Sequence, residues 1–167
     1  LARDLLSRFS GPIAAPSANQ AGEVSPTAAA HVAESLGDTV DLIVDGGECE
    51  VGLESTVVDL CGARAAILRH GAVTREQLER VLGSIDDASV AEPGATPRSP
   101  GQIAKHYAPS IPVRINATDM RPNEAFVAFG VEIAGDGAAT RNLSPSGDLA
   151  EAAARLFATL RALDRPE

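Results

Sequence analysis

The chain has 167 residues, 44% of them hydrophobic, which is enough for one ordinary domain or two small ones and too apolar for a disordered tail. Thirty alanines stand against four phenylalanines, one tyrosine and no tryptophan, so a core here is built from small aliphatic side chains packed close. The net charge of −9 repels a phosphate backbone and argues against non-specific nucleic-acid binding, and no apolar run reaches the ~18 residues that cross a bilayer.

The elements follow in chain order. Leu1 to Phe9 carries Leu5, Leu6 and Phe9 on one helical face and stops at Ser10-Gly11-Pro12. The opening has neither a basic start nor an apolar run behind it, so it is no signal peptide; it reads as the middle of an amphipathic helix, the expectation for a piece of a longer protein. Pro12 to Ala15 is a short strand candidate. Ser25-Pro26-Thr27 predicts a helix to Leu36, with Ser25 as N-cap, Pro26 at the first helical position and Gly37 as the stop. Asp41 to Asp45 has the pattern of a buried strand. Ser55 to Leu60 and Ala65 to Arg69 flank the turn at Cys61-Gly62 and predict a hairpin. Thr74-Arg75-Glu76-Gln77 is a capping box opening a helix to Leu82. Residues 83–110 are broken by four prolines and read as a functional linker. Beyond it, Ile111 to Ile115 and Ala125 to Val131 are strand candidates. An amphipathic helix runs from Asp148 to Leu163, with Leu149, Ala153, Leu156, Leu160 and Leu163 on one face. Cys49 and Cys61 lack CxxC spacing and nearby histidines, so they read as reduced thiols of a cytoplasmic protein.

Four constellations can carry chemistry. Pro16-Ser17-Ala18-Asn19 follows a strand candidate and precedes a helix start, an arrangement whose free backbone N–H groups and dipole favour an anion; Ser17, Asn19 and Thr27 would add hydroxyl and amide partners. Ordinary turn chemistry explains the same residues. Asp45-Gly46-Gly47 and Gly52-Leu53-Glu54-Ser55-Thr56 bring backbone and a hydroxyl close to a ligand, or form a tight connection between strands; this is no Walker A loop. Arg69 ends an apolar strand beside His70-Gly71, placed to fork onto a phosphate or to pair with a carboxylate. Lys105-His106-Tyr107, inside the linker, reads as a lid over a site or as a linker anchored by Tyr107. No Ser-His-Asp triad or HExxH metal site is discernible.

Together, "APSANQAGEVSPT", "DGGECEVGLESTVVDL", "ILRHGAVTREQL" and "SPGQIAKHYAP" resemble the Sua5/YrdC/YciO family in its long, Sua5-type form, the threonylcarbamoyl-AMP synthases. The resemblance implies an α/β fold. Residues 1–82 would be the C-terminal part of a YrdC-like domain, 83–110 the linker and 111–167 the start of a small Rossmann-like Sua5 domain. It also implies a nucleotidyltransferase that joins L-threonine, bicarbonate and ATP, with Mg2+, into L-threonylcarbamoyladenylate and pyrophosphate. The product would pass to the complex that makes threonylcarbamoyladenosine in tRNA, with no membrane and no direct tRNA contact by this chain. Carried over residue by residue, Ser17 and Ser55 would contact threonine. Asn19, Thr27, Arg69 and Tyr107 would hold ATP, and Lys105 and His106 would belong to the linker lid. No catalytic side chain and no metal ligand is implied among these residues. The chain reads His70 where the family often has Pro, and "GQIAKHYAP" where it often has "GMKYRHYAP". The basic KxR-type triphosphate motif has no counterpart, so this stretch by itself is expected to be inactive. A non-catalytic RNA-binding module and a carbamoyltransferase-type YrdC domain are the competing readings.

Overall fold

The computed structural model describes residues 1–88, 99, 107–131 and 139–165. Its elements grow from local signals of unequal strength. The hairpin is among the strongest. Val57–Asp59 (β1) and Ala66–Arg69 (β2) pair antiparallel, with Val58 opposite Ile67 and Asp59 opposite Ala66. Asp59 Oδ1 accepts the Cys61 N–H at 2.9 Å and so fastens the start of the connection. Asp86–Asp87 (β3) joins the other edge of β2 in parallel, giving the order β1-β2-β3. Ile67 in β2 and Ile85 just before β3 are both buried.

The Ala2–Arg8 helix (α1) forms as expected, but none of its residues is buried and Leu5, Leu6 and Phe9 face outward. The expected helix after Ser25 is shorter: α2 spans Ala29–Leu36, with Ala28 at the N-cap and Gly37 at φ +47 closing it. Ser25 does not cap it. Its hydroxyl donates to Glu54 Oε1 at 2.5 Å, and the Thr27 N–H finds its acceptor in His31 Nδ1 at 3.2 Å. The helix Arg75–Leu82 (α3) carries the expected capping box in full: Thr74 accepts from the Gln77 N–H, and Gln77 accepts from the Thr74 N–H at 2.9 Å.

The strand candidates 12–15, 41–45 and 111–115 form no ladder among the described residues. Ile13, Leu42, Val44, Val113 and Ile115 are all exposed. An apolar run becomes a strand only where another strand can take its N–H and C=O groups. Ala125–Ala128 (β4) does find one, pairing in parallel with Ala139–Asn142 (β5), a strand that the apolar pattern does not announce.

The last helix (α4) spans Leu149–Leu163, and Asp148 accepts the Glu151 N–H at 2.7 Å as its N-cap. Its buried residues are Ala152 and Phe157, whereas Leu149 is 77% exposed, so the packed face is rotated from the leucine stripe expected. Contact at small residues explains the rotation. Gly52, at φ +67, lies so close to α4 that a Cβ there would sit 2.2 Å from the Ala154 carbonyl oxygen. Farther along, Arg161 donates to Val24 O at 2.8 Å, His31 O at 3.1 Å and Ser35 Oγ at 2.6 Å. Asp164, just past the helix, accepts from the Ser110 hydroxyl at 2.6 Å and the Ile111 N–H at 3.1 Å. Burial works against its charge, but these donors together hold the Asp164 carboxyl below the usual aspartate range. Thus α4 is fastened to the chain's first third at two separate points.

Gly52 and Gly83 both occupy the left-handed region, but only Gly52 faces a backbone obstacle. Gly52→Ala should therefore cost about 3 kcal/mol and Gly83→Ala about 1 kcal/mol, read as shifts in the urea midpoint.

Candidate functional site

The loops around α2 and α4 enclose a cleft of about 290 Å³, lined among others by Ser17, Ser25, Thr27, Gly52, Glu54 and Phe157. The left-handed backbone at Gly52 lets the chain turn beneath α4 and present Glu54 to the cleft. Gly71 closes in from the other side: a Cβ there would come within 2.3 Å of Glu54 O, so the chain after β2 presses directly on the Glu54-Ser55 backbone.

Arg69, at the end of β2, organises what lies beside the cleft. Its Nε donates to Ser55 O at 2.9 Å, one Nη to Ser55 Oγ at 2.8 Å and the other to Tyr107 Oη at 3.1 Å. Glu54 Oε2 lies 3.6 Å from the guanidinium. Both side chains are largely shielded, at 13% exposure for Arg69 and 22% for Glu54. Their attraction is therefore less screened than at an open surface, and the planar fork fixes the direction of each donor. Tyr107 stacks on Phe157 with ring centroids 5.6 Å apart and planes at 28°.

The sequence-derived candidates fall into three groups. Ser55, Arg69 and Tyr107 form one hydrogen-bonded cluster. Ser17 and Thr27 line the adjoining cleft. Asn19 staples its own loop: its Nδ2 donates to Gln20 O at 2.8 Å and Glu23 O at 3.2 Å, while its buried Oδ1 has no partner among the described residues. Lys105 and His106 lie outside the described residues. Two participants carried no assignment from sequence. Glu54 stands inside a quoted motif but was masked by the hydroxyls beside it, and Phe157 sits on a helix whose leucines dominate the pattern. His70 pairs with Asp87 of β3 at 3.0 Å.

A second cavity of about 260 Å³ shares Thr27 and Cys49 with the first and extends to His31, Arg141 and Arg155. Burial lowers the His31 pKa and the Arg161 charge adds to the effect. Neutral His31 is also what the hydrogen bond requires, since Nδ1 must accept the Thr27 N–H. Cys49 and Cys61 are both free thiols, as their spacing implied.

Magnesium is the metal the resemblance implies. No three His, Cys, Asp or Glu side chains converge among the described residues, and the carboxylate in the cleft, Glu54, is already engaged by Ser25 and Arg69. These residues do not fit a protein-held Mg2+. No described helix is long and apolar enough to cross a membrane.

Fold and site together define a mixed α/β polypeptide with a hydroxyl-lined cleft beside a forked guanidinium. Comparison with known proteins makes this specific. The family model described as "Telomere recombination", covering Sua5, YciO and YrdC, matches residues 1–71, and "Threonylcarbamoyl-AMP synthase, C-terminal domain" matches residues 73–167. The threonylcarbamoyl-AMP synthase of Bacillus subtilis is 46% identical over 112 residues, 66% of this chain and 32% of the relative. That of Pyrococcus abyssi is 43% identical over 115 residues, 68% of this chain and 34% of the relative. The crystal structure of P. abyssi Sua5 complexed with L-threonine superposes with a TM-score of 0.72 at 32% identity, over 93% of this chain and 50% of that one. A P. abyssi Sua5 variant with a consecutive histidine and tyrosine replaced by alanine gives 0.65 at 30%, over 92% and 48%. The chain belongs to the threonylcarbamoyl-AMP synthase family. It spans about a third of the length of these curated relatives and about half that of the solved structures.

The His31 arrangement predicts a pH effect. A depressed histidine pKa favours the fold while the ring is neutral, so that contribution is present above the unfolded value of about 6.5 and is lost as pH falls from there through the lowered folded value. Thermal unfolding between about pH 7 and pH 5 should show the melting temperature falling, with a shallower fall in His31→Gln.

Proposed function

We propose that this chain provides the threonine side and part of the nucleotide side of an L-threonylcarbamoyladenylate synthase. The observation carrying this reading is the Ser55–Arg69–Tyr107 cluster. Three segments, each quoted for its family resemblance, meet at one shielded guanidinium beside a polar cleft. The relative solved with L-threonine supports the substrate class. The relative with alanines at a consecutive His–Tyr pair draws attention to the same dipeptide here, His106-Tyr107.

In this reading threonine, bicarbonate and ATP meet in and beside the cleft. The threonine amine forms an N–C bond to bicarbonate with loss of water, giving a carbamate. A carbamate oxygen then attacks the α-phosphorus of ATP, and the bond to the β-phosphate breaks to release pyrophosphate. The contribution of this chain is positioning and charge. Ser17 and Ser55 offer hydroxyls to the amino acid, and Thr27 closes the far wall. Arg69, already oriented by Ser55 O, exchanges part of its fork for phosphate oxygens as charge develops there. Asn19 holds the loop that carries Ser17 through its Nδ2, and its buried Oδ1 stays open to the ATP side. Mg2+ enters with the ATP phosphates as part of the substrate, and the remaining phosphate cations come from parts of the whole protein other than the described residues. The product serves threonylcarbamoyl transfer to tRNA, and the place of work is the cytoplasm. The −9 charge supports hand-over of a small molecule rather than direct tRNA binding.

The test is pyrophosphate release by the whole protein, dependent on L-threonine, bicarbonate and ATP. Arg69→Ala should lower kcat/KM for ATP roughly ten- to hundredfold, the value of a charged hydrogen-bond partner, and leave threonine binding within a few-fold. Ser55→Ala should raise the threonine KM about fivefold. Equal effects of both variants on both substrates would overturn the assignment.

A further inference from the structure

Phe157 belongs to α4, in the segment matched by the C-terminal family model, yet it forms a wall of the cleft otherwise built by residues before Ser55. It is 8% exposed. Its ring lies against Tyr107 at 5.6 Å, close to a stacked geometry. Tyr107 needs such support. Its backbone is at φ +53, the left-handed region that a bulky side chain rarely adopts. The adjoining Ala108 N–H donates to Gly22 O at 3.0 Å, tying the backbone, and the Phe157 ring fixes the side chain's direction. The hydroxyl then meets Arg69 at 3.1 Å, and Arg69 in turn grips Ser55.

We propose that Phe157 is a positioning residue of the substrate site: its ring seats Tyr107, whose hydroxyl holds one arm of the Arg69 fork. The last helix thereby takes part in the site through Tyr107. This rests on the reading of Arg69 as a nucleotide-side cation only for its effect on catalysis; the positioning itself is a property of the folded chain. The helix keeps its other anchors when Phe157 is changed, because Ala154 still packs on Gly52 and Arg161 still donates to Val24, His31 and Ser35. Phe157→Met replaces the ring with a side chain of similar volume, so the pocket stays filled while the stack is lost.

Two readouts need no activity. Tyr107 is the only tyrosine in this 167-residue chain and tryptophan is absent, so tyrosine emission reports Tyr107 alone. Phe157→Met should raise acrylamide quenching about twofold with the far-ultraviolet dichroism unchanged. Hydrogen exchange of the Arg69 Nε–H, followed by nitrogen-15 correlation spectra, should accelerate about fivefold in Phe157→Met and in Tyr107→Phe. The double variant should exchange no faster than either single one, because both changes break the same relay. Unchanged quenching overturns the stack. Raised quenching with unchanged Arg69 exchange, or additive effects in the double variant, overturns the relay. If Phe157→Met loses helical dichroism, Tyr107→Phe decides the relay from Tyr107 to Arg69 and Phe157→Leu the stack, by the same two criteria.

In the whole synthase, Phe157→Met should raise the KM for ATP two- to tenfold with kcat within twofold, and Phe157→Tyr should restore it. A kcat loss without a KM change overturns positioning. Absence of synthase activity in the unmodified protein overturns the functional reading and leaves the positioning to be decided by quenching and exchange.

Discussion

A single guanidinium connects most of what gives this protein a site. Arg69 stands at the end of an apolar strand, and its five N–H donors must be used because the side chain is largely withdrawn from water. Ser55 takes two of them, through its carbonyl and its hydroxyl, and Tyr107 takes a third. Each acceptor comes from a different level of structure: a loop entering β1, and a residue 38 positions along the chain. Arg69 is thus a partner shared by the Ser55 loop and Tyr107. The strand that carries Arg69 is in turn set by the hairpin register, which places Arg69 opposite Val57. Hairpin geometry and site geometry are therefore one constraint.

The second organising contact is backbone against backbone. Gly52 and Ala154 meet without any intervening side chain, which is possible only because one residue has no Cβ and the other has the smallest. An alanine-rich composition with few aromatics builds its packing in this way, through close approach instead of large buried rings. Two of the few rings present, Tyr107 and Phe157, are placed together beside the cleft. Arg161 then fixes the helix end with donors to two carbonyls and a hydroxyl, replacing the apolar area that alanines cannot supply.

Much of the fold was legible where the signal is local. The hairpin, the Thr74 capping box and the Asp148-capped helix depend on turn and cap chemistry within a few residues, and all three stand where the sequence places them. Reading failed where the outcome depends on a distant partner. Ser25 has ideal N-cap chemistry, yet Glu54, from another segment, captures its hydroxyl and the helix starts later. Three apolar runs form no strand, because among the described residues no other strand pairs with them. The face of α4 was misjudged because leucines outweigh alanines in any periodicity, while packing against Gly52 selects the small side.

The sequence by itself determined which segments matter: Ser17, Ser55, Arg69 and Tyr107 stand in motifs dense enough to identify the family before any coordinate is known. It could not determine which of them touch, because side-chain forks and ring stacks are set by relations across the chain that no local spacing encodes. Only the tertiary structure made Arg69 the centre of the cluster, turned Asn19 into a loop staple, and brought Glu54 and Phe157 into the site. The reason is physical: a buried donor takes whichever acceptor the packed backbone brings within about 3 Å, and that choice is made after the elements have assembled.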